Sequence, residues 1–182
     1  MKDRMTKGGN TAAMEVREIR STDAAAYQAF FLKGLVEDEA SFRISPDDEK
    51  EAPFPTGDMP DSFTLGAYEN GRLAGVVSFQ REGRDRRKLR HKGLLFRMYV
   101  DPQCRGKGMG RALIEALRQR VETLGDVEQI NLTVVSSNPV AKKLYERFGF
   151  VSFAVEKNAL KWKGRYYAEE QMVLFLKNVP TS

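Results

Sequence analysis

Residues 94–110 read LLFRMYVDPQCRGKGMG and continue into RALIEALRQRVETL at residues 111–124. Leu94 to Val100 is apolar and aromatic enough for a strand buried on both faces. Asp101-Pro102 ends it, because proline cannot donate to a ladder and biases the residue before it away from helix. Gly106, Gly108 and Gly110 then alternate with Lys107 and Met109, and from Met109 onward Leu113, Ile114, Leu117, Val121 and Leu124 share one helical face. Strand, glycine loop and helix start together make a phosphate-binding layout. Glycine lets the backbone come close, the first helical N–H groups have no intrahelical partner, and the positive end of the helix dipole faces the anion.

The spacing excludes two familiar phosphate loops. A dinucleotide fingerprint needs G-x-G-x-x-G, whereas this chain has G-x-G-x-G. A Walker A loop needs four residues between its first glycine and Gly-Lys-Ser/Thr, which is also missing. The 182 residues suit one domain with a sizeable core. Hydrophobic residues at 41% and charged residues at 30% place the chain among globular proteins rather than disordered or membrane-spanning ones. Cys104 is the single cysteine, which excludes an internal disulfide and fits a reducing cytoplasm, the expected location. One cysteine and one histidine, His91, argue against a zinc site, and no metal is expected. The formal charge of +5 would suit nucleic acid, but an anionic cofactor accounts for part of it.

Residues 1–13 lack periodicity and read as a disordered extension; the domain is expected over residues 14–177, with a tail at 178–182. MEVREIR from Met14 reads as a strand, and Ser21 or Thr22 as the cap of a helix carrying Tyr27, Phe30, Phe31 and Leu35. Residues 37–61 are acidic and proline-rich, giving short helical pieces and loops; the acidic wall could attract a cationic amine or simply be solvated. Phe63–Tyr68 and Leu73–Arg81 read as a hairpin around Asn70-Gly71, followed by a basic connection, Gly83–Lys92, placed in solvent or near a cofactor's phosphates. Gly125 suits a helix stop and Gln129–Val135 a strand. Asn138-Pro139 opens a helix ending at Gly149. Val151–Glu156 and Gln171–Leu176 read as the last strands, joined by the connection Lys157–Glu170. The whole is a mixed α/β domain with helices covering a sheet.

With the YVDP strand end before it and a long amphipathic helix after it, the loop resembles the acyl-CoA loop of the GNAT superfamily of N-acetyltransferases. The signature is Q/R-x-x-G-x-G/A, and Arg105, Gly108 and Gly110 fill its fixed positions. The block SNPVAKKLYERFGF, Ser137–Phe150, is the second specific match; elsewhere between Met14 and Lys177 the match is by pattern. The resemblance implies a mostly antiparallel central sheet flanked by helices, with splayed fourth and fifth strands, here Leu94–Val100 and Gln129–Val135.

It also implies that the pantetheine arm of acetyl-CoA, the cosubstrate, enters the gap and pairs with backbone near Met98 and Val100. The N–H groups of Arg105, Gly106, Lys107, Gly108, Met109 and Gly110 would hold the pyrophosphate, with charge added by Arg105 and Lys107. An N–H near Met98 would stabilise the oxyanion. Tyr145 stands where the family commonly places the proton donor to the departing thiolate. Asn138 lies seven positions before it, about two turns or ~10.5 Å, so both share nearly one face, which could run along the pantetheine. Locally, Asn138 also reads as a helix cap and Tyr145 as a core aromatic.

The general base stays unassigned. Histone-type members carry a glutamate near the start of the fourth strand, and this chain has Leu94 there. Glu37, Glu82 and Glu156 are candidates that the residues do not separate, and His91 lies in a basic connection. Cys104 has no activating base in sequence context and reads as a packing residue. The expected function is acetyl-CoA-dependent N-acetylation of a primary amine on a small molecule or peptide. An alternative of a different class is a non-catalytic acyl-CoA-binding regulatory module. A third, nucleic-acid binding through Arg84–Lys92, lacks a motif and is not expected; nor is a membrane partner, while a homodimer is compatible with the family.

Overall fold

A computed structural model of the chain describes residues 14–176. The expected extension at 1–13 and the expected tail at 178–182 lie outside the described residues, as does residue 177 at the expected domain end. Strand β1 (Met14–Ile19) leads through a 3-10 turn (Ser21–Asp23) into α1 (Ala24–Glu37). The expected cap at Ser21 or Thr22 does not form. Ser21 instead donates its N–H and its hydroxyl to Asp58, at 3.0 and 2.5 Å, fastening the helix entrance to a distant loop. A second 3-10 turn (Glu39–Ser41) and α2 (Pro46–Glu51) occupy the acidic stretch, as its prolines dictate. Ser45 caps α2 with a reciprocal Ser45–Asp48 capping box.

Then follow β2 (Ser62–Glu69), β3 (Arg72–Arg81), β4 (Lys92–Val100), α3 (Met109–Thr123), β5 (Gln129–Val135), α4 (Pro139–Arg147), β6 (Val151–Trp162) and β7 (Arg165–Phe175). Asn70 and Gly71 take positive φ of 52° and 79°, the two left-handed residues a tight hairpin needs. The last hairpin is longer than the sequence reading. The segment expected as the connection Lys157–Glu170 is mostly strand, turning at Lys163-Gly164 with φ of 47° and 78°. It is charged on an edge strand and interrupted by bulges, so no alternation of apolar residues announces it.

The seven strands are ordered β1-β2-β3-β4-β5-β7-β6, antiparallel except for the parallel pair β4–β5. One core lies under α3, with Leu113, Ile114, Leu117 and Val121 against Phe63, Phe79, Ile130 and Leu132. A smaller core on the other face joins Tyr27, Phe31 and Leu35 of α1 to Val76 and Tyr99. The basic connection runs into the N-terminal end of β4, opposite the glycine loop. Arg81, at the end of β3 beside it, reaches Asp61 at 2.8 Å and Asp126 at 2.6 Å, while Arg90 of the connection pairs with Asp126 and Arg84 with Asp61. Its placement near a cofactor's phosphates is thereby corrected: Arg81, Arg84 and Arg90 are tied to local carboxylates at the far end of the strand.

Candidate active site

Strands β4 and β5 pair only at Lys92–Gln129, Gly93–Ile130 and Leu94–Asn131, then part. The cause is local to β4. Arg97 takes φ of 51°, and the register against β3 shifts so that Arg97 and Met98 together oppose Val77. The extra residue resets the alternation. Leu95 therefore packs on the α3 side while Tyr99, four residues on, packs on the α1 side. The expectation of a strand buried on both faces is corrected accordingly: Leu95 and Tyr99 are buried, whereas Phe96, Met98 and Val100 are half-buried beside the opening.

The opening is a groove of about 570 Å³. The glycine loop and the start of α3 form one end, Met98 to Val100 one wall, and α4 with Asn138, Leu144 and Arg147 the other. Gly106 and Gly108 have φ of 77° and 86°, and a Cβ at either would meet no atom within 4 Å. Both Cβ positions thus face open space where the helix N-terminus presents its free N–H groups. Gly108 is the N-cap of α3. Gly110 has a different reason to be glycine: a Cβ there would lie 3.0 Å from Leu144 Cδ2, so it permits close approach of α3 and α4.

Arg105 and Lys107 are both engaged within the chain. Arg105 donates Nε–H to the Val100 carbonyl at 3.1 Å and lies 3.5 Å from Asp38, while Lys107 pairs with Glu69 at 2.9 Å. Arg105 borders the groove, as do Arg111, Lys143 and Arg147, three cations that sequence reading did not single out. Lys143 and Arg147 are four apart on α4 and so share a face, which is the signal that could have found them.

Asn138 Oδ1 accepts from the Ala141 N–H at 3.0 Å and caps α4, and the residue also borders the groove. Tyr145 is 6% exposed, packed edge-on to Phe150 at 5.8 Å, and burial raises its phenol well above the usual range. It borders a second cavity of about 250 Å³, together with Leu94 to Met98, Thr133 and Asn138. Structure thus brings Met98, Asn138 and Tyr145 to one space, with the loop at its mouth.

Among the carboxylates, Glu37 accepts from the Tyr99 hydroxyl at 3.1 Å, and Glu82 lies 3.6 Å from Lys92 beside the basic connection. Glu156 is exposed on β6 opposite Glu169. Glu49 and Glu169 are buried, each against an arginine, and neither was singled out from sequence. Cys104 is buried beside Glu69, and burial, reinforced by that carboxylate, raises its thiol. A raised thiol is a poor nucleophile at neutral pH. Cys104→Ala is therefore expected to keep acetyl-transfer turnover within about threefold of the parent. Complete loss of turnover with intact acetyl-CoA binding would mark a covalent intermediate instead. Among the described residues no group of three or more His, Cys, Asp or Glu gathers as a metal site. No described helix is long and apolar enough to cross a membrane.

A sheet opened after a short parallel pairing, with a glycine loop and helix N-terminus at its mouth, defines an α/β protein of acyl-CoA-binding design. Solved structures share this fold. A GNAT-family acetyltransferase from Streptococcus pneumoniae superposes with a TM-score of 0.77 at 23% identity, over 90% of this chain and 100% of that one. The Salmonella typhimurium protein yncA, solved with its cofactor acetyl-CoA, gives 0.74 at 22% identity, over 94% and 98%. The model of the acetyltransferase (GNAT) family matches residues 28–150, and the chain belongs to that family. Among curated relatives, spermine/spermidine N(1)-acetyltransferase of Bacillus subtilis (strain 168) is 33% identical over 89 residues, 47% of this chain and 57% of that one. Ribosomal protein bS18 alanine N-acetyltransferase of Escherichia coli (strain K12) is 41% identical over 90 residues, 50% and 55%. The chain thus spans little more than half the length of the curated relatives it matches.

Proposed function

We propose that this protein transfers the acetyl group of acetyl-CoA directly to a primary amine. The observation that carries this reading is the groove between β4 and β5, which runs from a glycine-lined helix N-terminus past Met98 to Tyr145. The loop fits a diphosphate: open space at Gly106 and Gly108, free N–H groups, and a rim of Arg105, Arg111, Lys143 and Arg147. When bound, acetyl-CoA supplies an activated thioester carbonyl. The chain's part is positioning. Beyond Leu94 the β5-facing edge of β4 has no strand partner, so its backbone there is available to an extended arm and to a developing oxyanion. Tyr145 holds a proton at the wall of the inner cavity and gives it to the departing sulfur. Two relatives are named as N-acetyltransferases, of spermine and spermidine in one and of an alanine of ribosomal protein bS18 in the other, which supports the reaction class.

Acetyl-CoA should stabilise the protein by mass action. At a hundred times its Kd the gain is about 2.7 kcal/mol. For a chain of this size each kcal/mol shifts the melting temperature by roughly 2–4 °C. Thermal melts with millimolar acetyl-CoA that show no shift, together with silent calorimetry, would overturn the reading. Thiol release with a panel of primary amines then separates the enzyme from a non-catalytic acyl-CoA-binding module.

A further inference from the structure

Three cavities adjoin on the open side of the sheet. The outermost, about 250 Å³, lies between residues 39–48 and the β6–β7 hairpin, against Trp162 and Tyr167. It shares Phe42, Arg43 and Ile44 with the inner cavity that Tyr145 borders. The inner cavity in turn shares Phe42, Met98 and Asn138 with the large groove. With the groove given to the cosubstrate, the outer cavity offers the acceptor an approach to the thioester through the inner one, and Arg43 lines both.

Arg43 is held there by a buried carboxylate. Its Nε lies 2.8 Å from Glu169 Oε1, with 59% of the arginine side chain exposed and 2% of the glutamate's. Glu169 sits on β7, paired with Val135 of the splayed strand β5 and with Glu156 of β6. Its Oε1 makes no hydrogen bond of good geometry among the described residues. A carboxylate sealed from water and compensated by one half-exposed cation is an exchange site, because another cation can take the place of the first without uncovering the charge.

We propose that the acceptor enters the outer cavity as an ammonium ion, replaces the Arg43 guanidinium on Glu169, and gives that carboxylate a proton. The inference rests on the acetyl-transfer reading above. Glu169 becomes a neutral acid and the nitrogen a free amine. The amine forms its N–C bond as the thioester C–S bond breaks, and the sulfur takes the Tyr145 proton. The proton now surplus on nitrogen returns through water to Tyr145. Glu169 then releases its proton to solvent and recovers Arg43, so each turnover releases one proton.

The groups facing Glu169 are Arg43 from the connection before α2 and Glu156 from β6, while β5 faces it with the uncharged Val135. Burial raises the carboxyl most, Arg43 lowers it, and Glu156 raises it again. A base with a raised pKa is better matched to an amine near ~10 than an exposed carboxylate is. Three other carboxylates of this region are committed. Glu49 is locked at 2.6 Å by Arg97, whose side chain is only 15% exposed and lies over the Phe31 ring. Glu39 accepts from Lys163 at 2.7 Å and from Trp162 Nε1 at 3.0 Å, and Asp48 accepts from Ser45 N and Oγ at 2.9 and 2.8 Å. One buried, exchangeable carboxylate behind Arg43, which lines the cavity together with Ile44, Trp162 and Tyr167, suits an acceptor with a single ammonium and an apolar or aromatic body, rather than a polyamine.

Steady-state kinetics on the full chain with a phenylalkyl monoamine and with spermidine, across pH, test this. Glu169→Gln should lower kcat by roughly 10²–10⁴-fold and remove the acidic limb of kcat/KM, with acetyl-CoA affinity within twofold of the parent. Arg43→Met leaves Glu169 in place. Losing the guanidinium raises the carboxyl, so the acidic limb should move to higher pH while KM for the amine falls. That shift tests the base even if Glu169→Gln fails to fold. A Glu169→Gln protein within threefold of the parent, or an Arg43→Met limb that does not move, overturns the role of Glu169. Higher kcat/KM for spermidine than for the monoamine overturns the single-ammonium acceptor. A parent that binds acetyl-CoA but acetylates no amine overturns the acetyl-transfer reading itself, and this inference with it.

Discussion

Gly108→Asp is expected to weaken acetyl-CoA binding by about 10²-fold or more, some ~2.7 kcal/mol, while leaving a folded protein. Gly108 is the N-cap of α3 at φ of 86°, and a Cβ there would point into open space. The substitution therefore meets no steric obstacle in the free protein. It carries a backbone cost of order 1 kcal/mol for a side chain in the left-handed region, hence a melting temperature lower by roughly 2–4 °C. Binding suffers more, because a carboxylate then occupies the space in which the helix N-terminus and the cations Arg105 and Arg111 would face a diphosphate. Gly108→Ala separates the two effects, since it has the same backbone strain without the charge. Calorimetry with acetyl-CoA on both variants and the parent checks it. Parent-like affinity in a folded Gly108→Asp protein would remove the loop from the binding site.

The second large effect concerns Tyr145. Tyr145→Phe is expected to lower kcat by roughly 10²-fold with acetyl-CoA affinity nearly unchanged, the mark of an interaction made in the transition state. The ring packs against Phe150 in the main core, and phenylalanine keeps that contact. Its hydroxyl takes no hydrogen bond among the described residues, so removing it leaves no partner stranded and stability should stay within a few tenths of a kcal/mol. Burial raises the phenol above its ordinary pKa of about 10. A group whose pKa is raised stays protonated at every lower pH, so Tyr145 should remain a donor across neutral and mildly alkaline conditions. Any alkaline limb of kcat below about pH 10 must then belong to another group. Turnover within twofold of the parent, when chemistry limits the rate, would return Tyr145 to the core.

The parts of this protein that could be read along the chain are those specified by a few neighbouring residues. Asn70-Gly71 names its turn, Asn138-Pro139 its helix start, and Gly149 its helix end, because each needs only local φ and ψ. Leu94 to Gly110 reads as strand, glycine loop and helix for the same reason, and α3 and β5 fall where apolar spacing places them. The last hairpin escaped, although Lys163-Gly164 is a usable turn signal, because the strands beside it are charged at an edge rather than alternating.

The acceptor side of the site has no local signature at all. Arg43 meets Glu169 only because β7 inserts beside β5 and the segment after α1 folds over that face. The bulge that opens β4 from β5 depends on its register against β3, and Arg97 has no sequence mark as the residue that takes positive φ. Lys107 reads as a phosphate ligand, yet the hairpin carrying Glu69 brings a carboxylate within 2.9 Å of it. Contacts of this kind join residues far apart in sequence and depend on strand order and side-chain reach. Local propensity and periodicity encode neither.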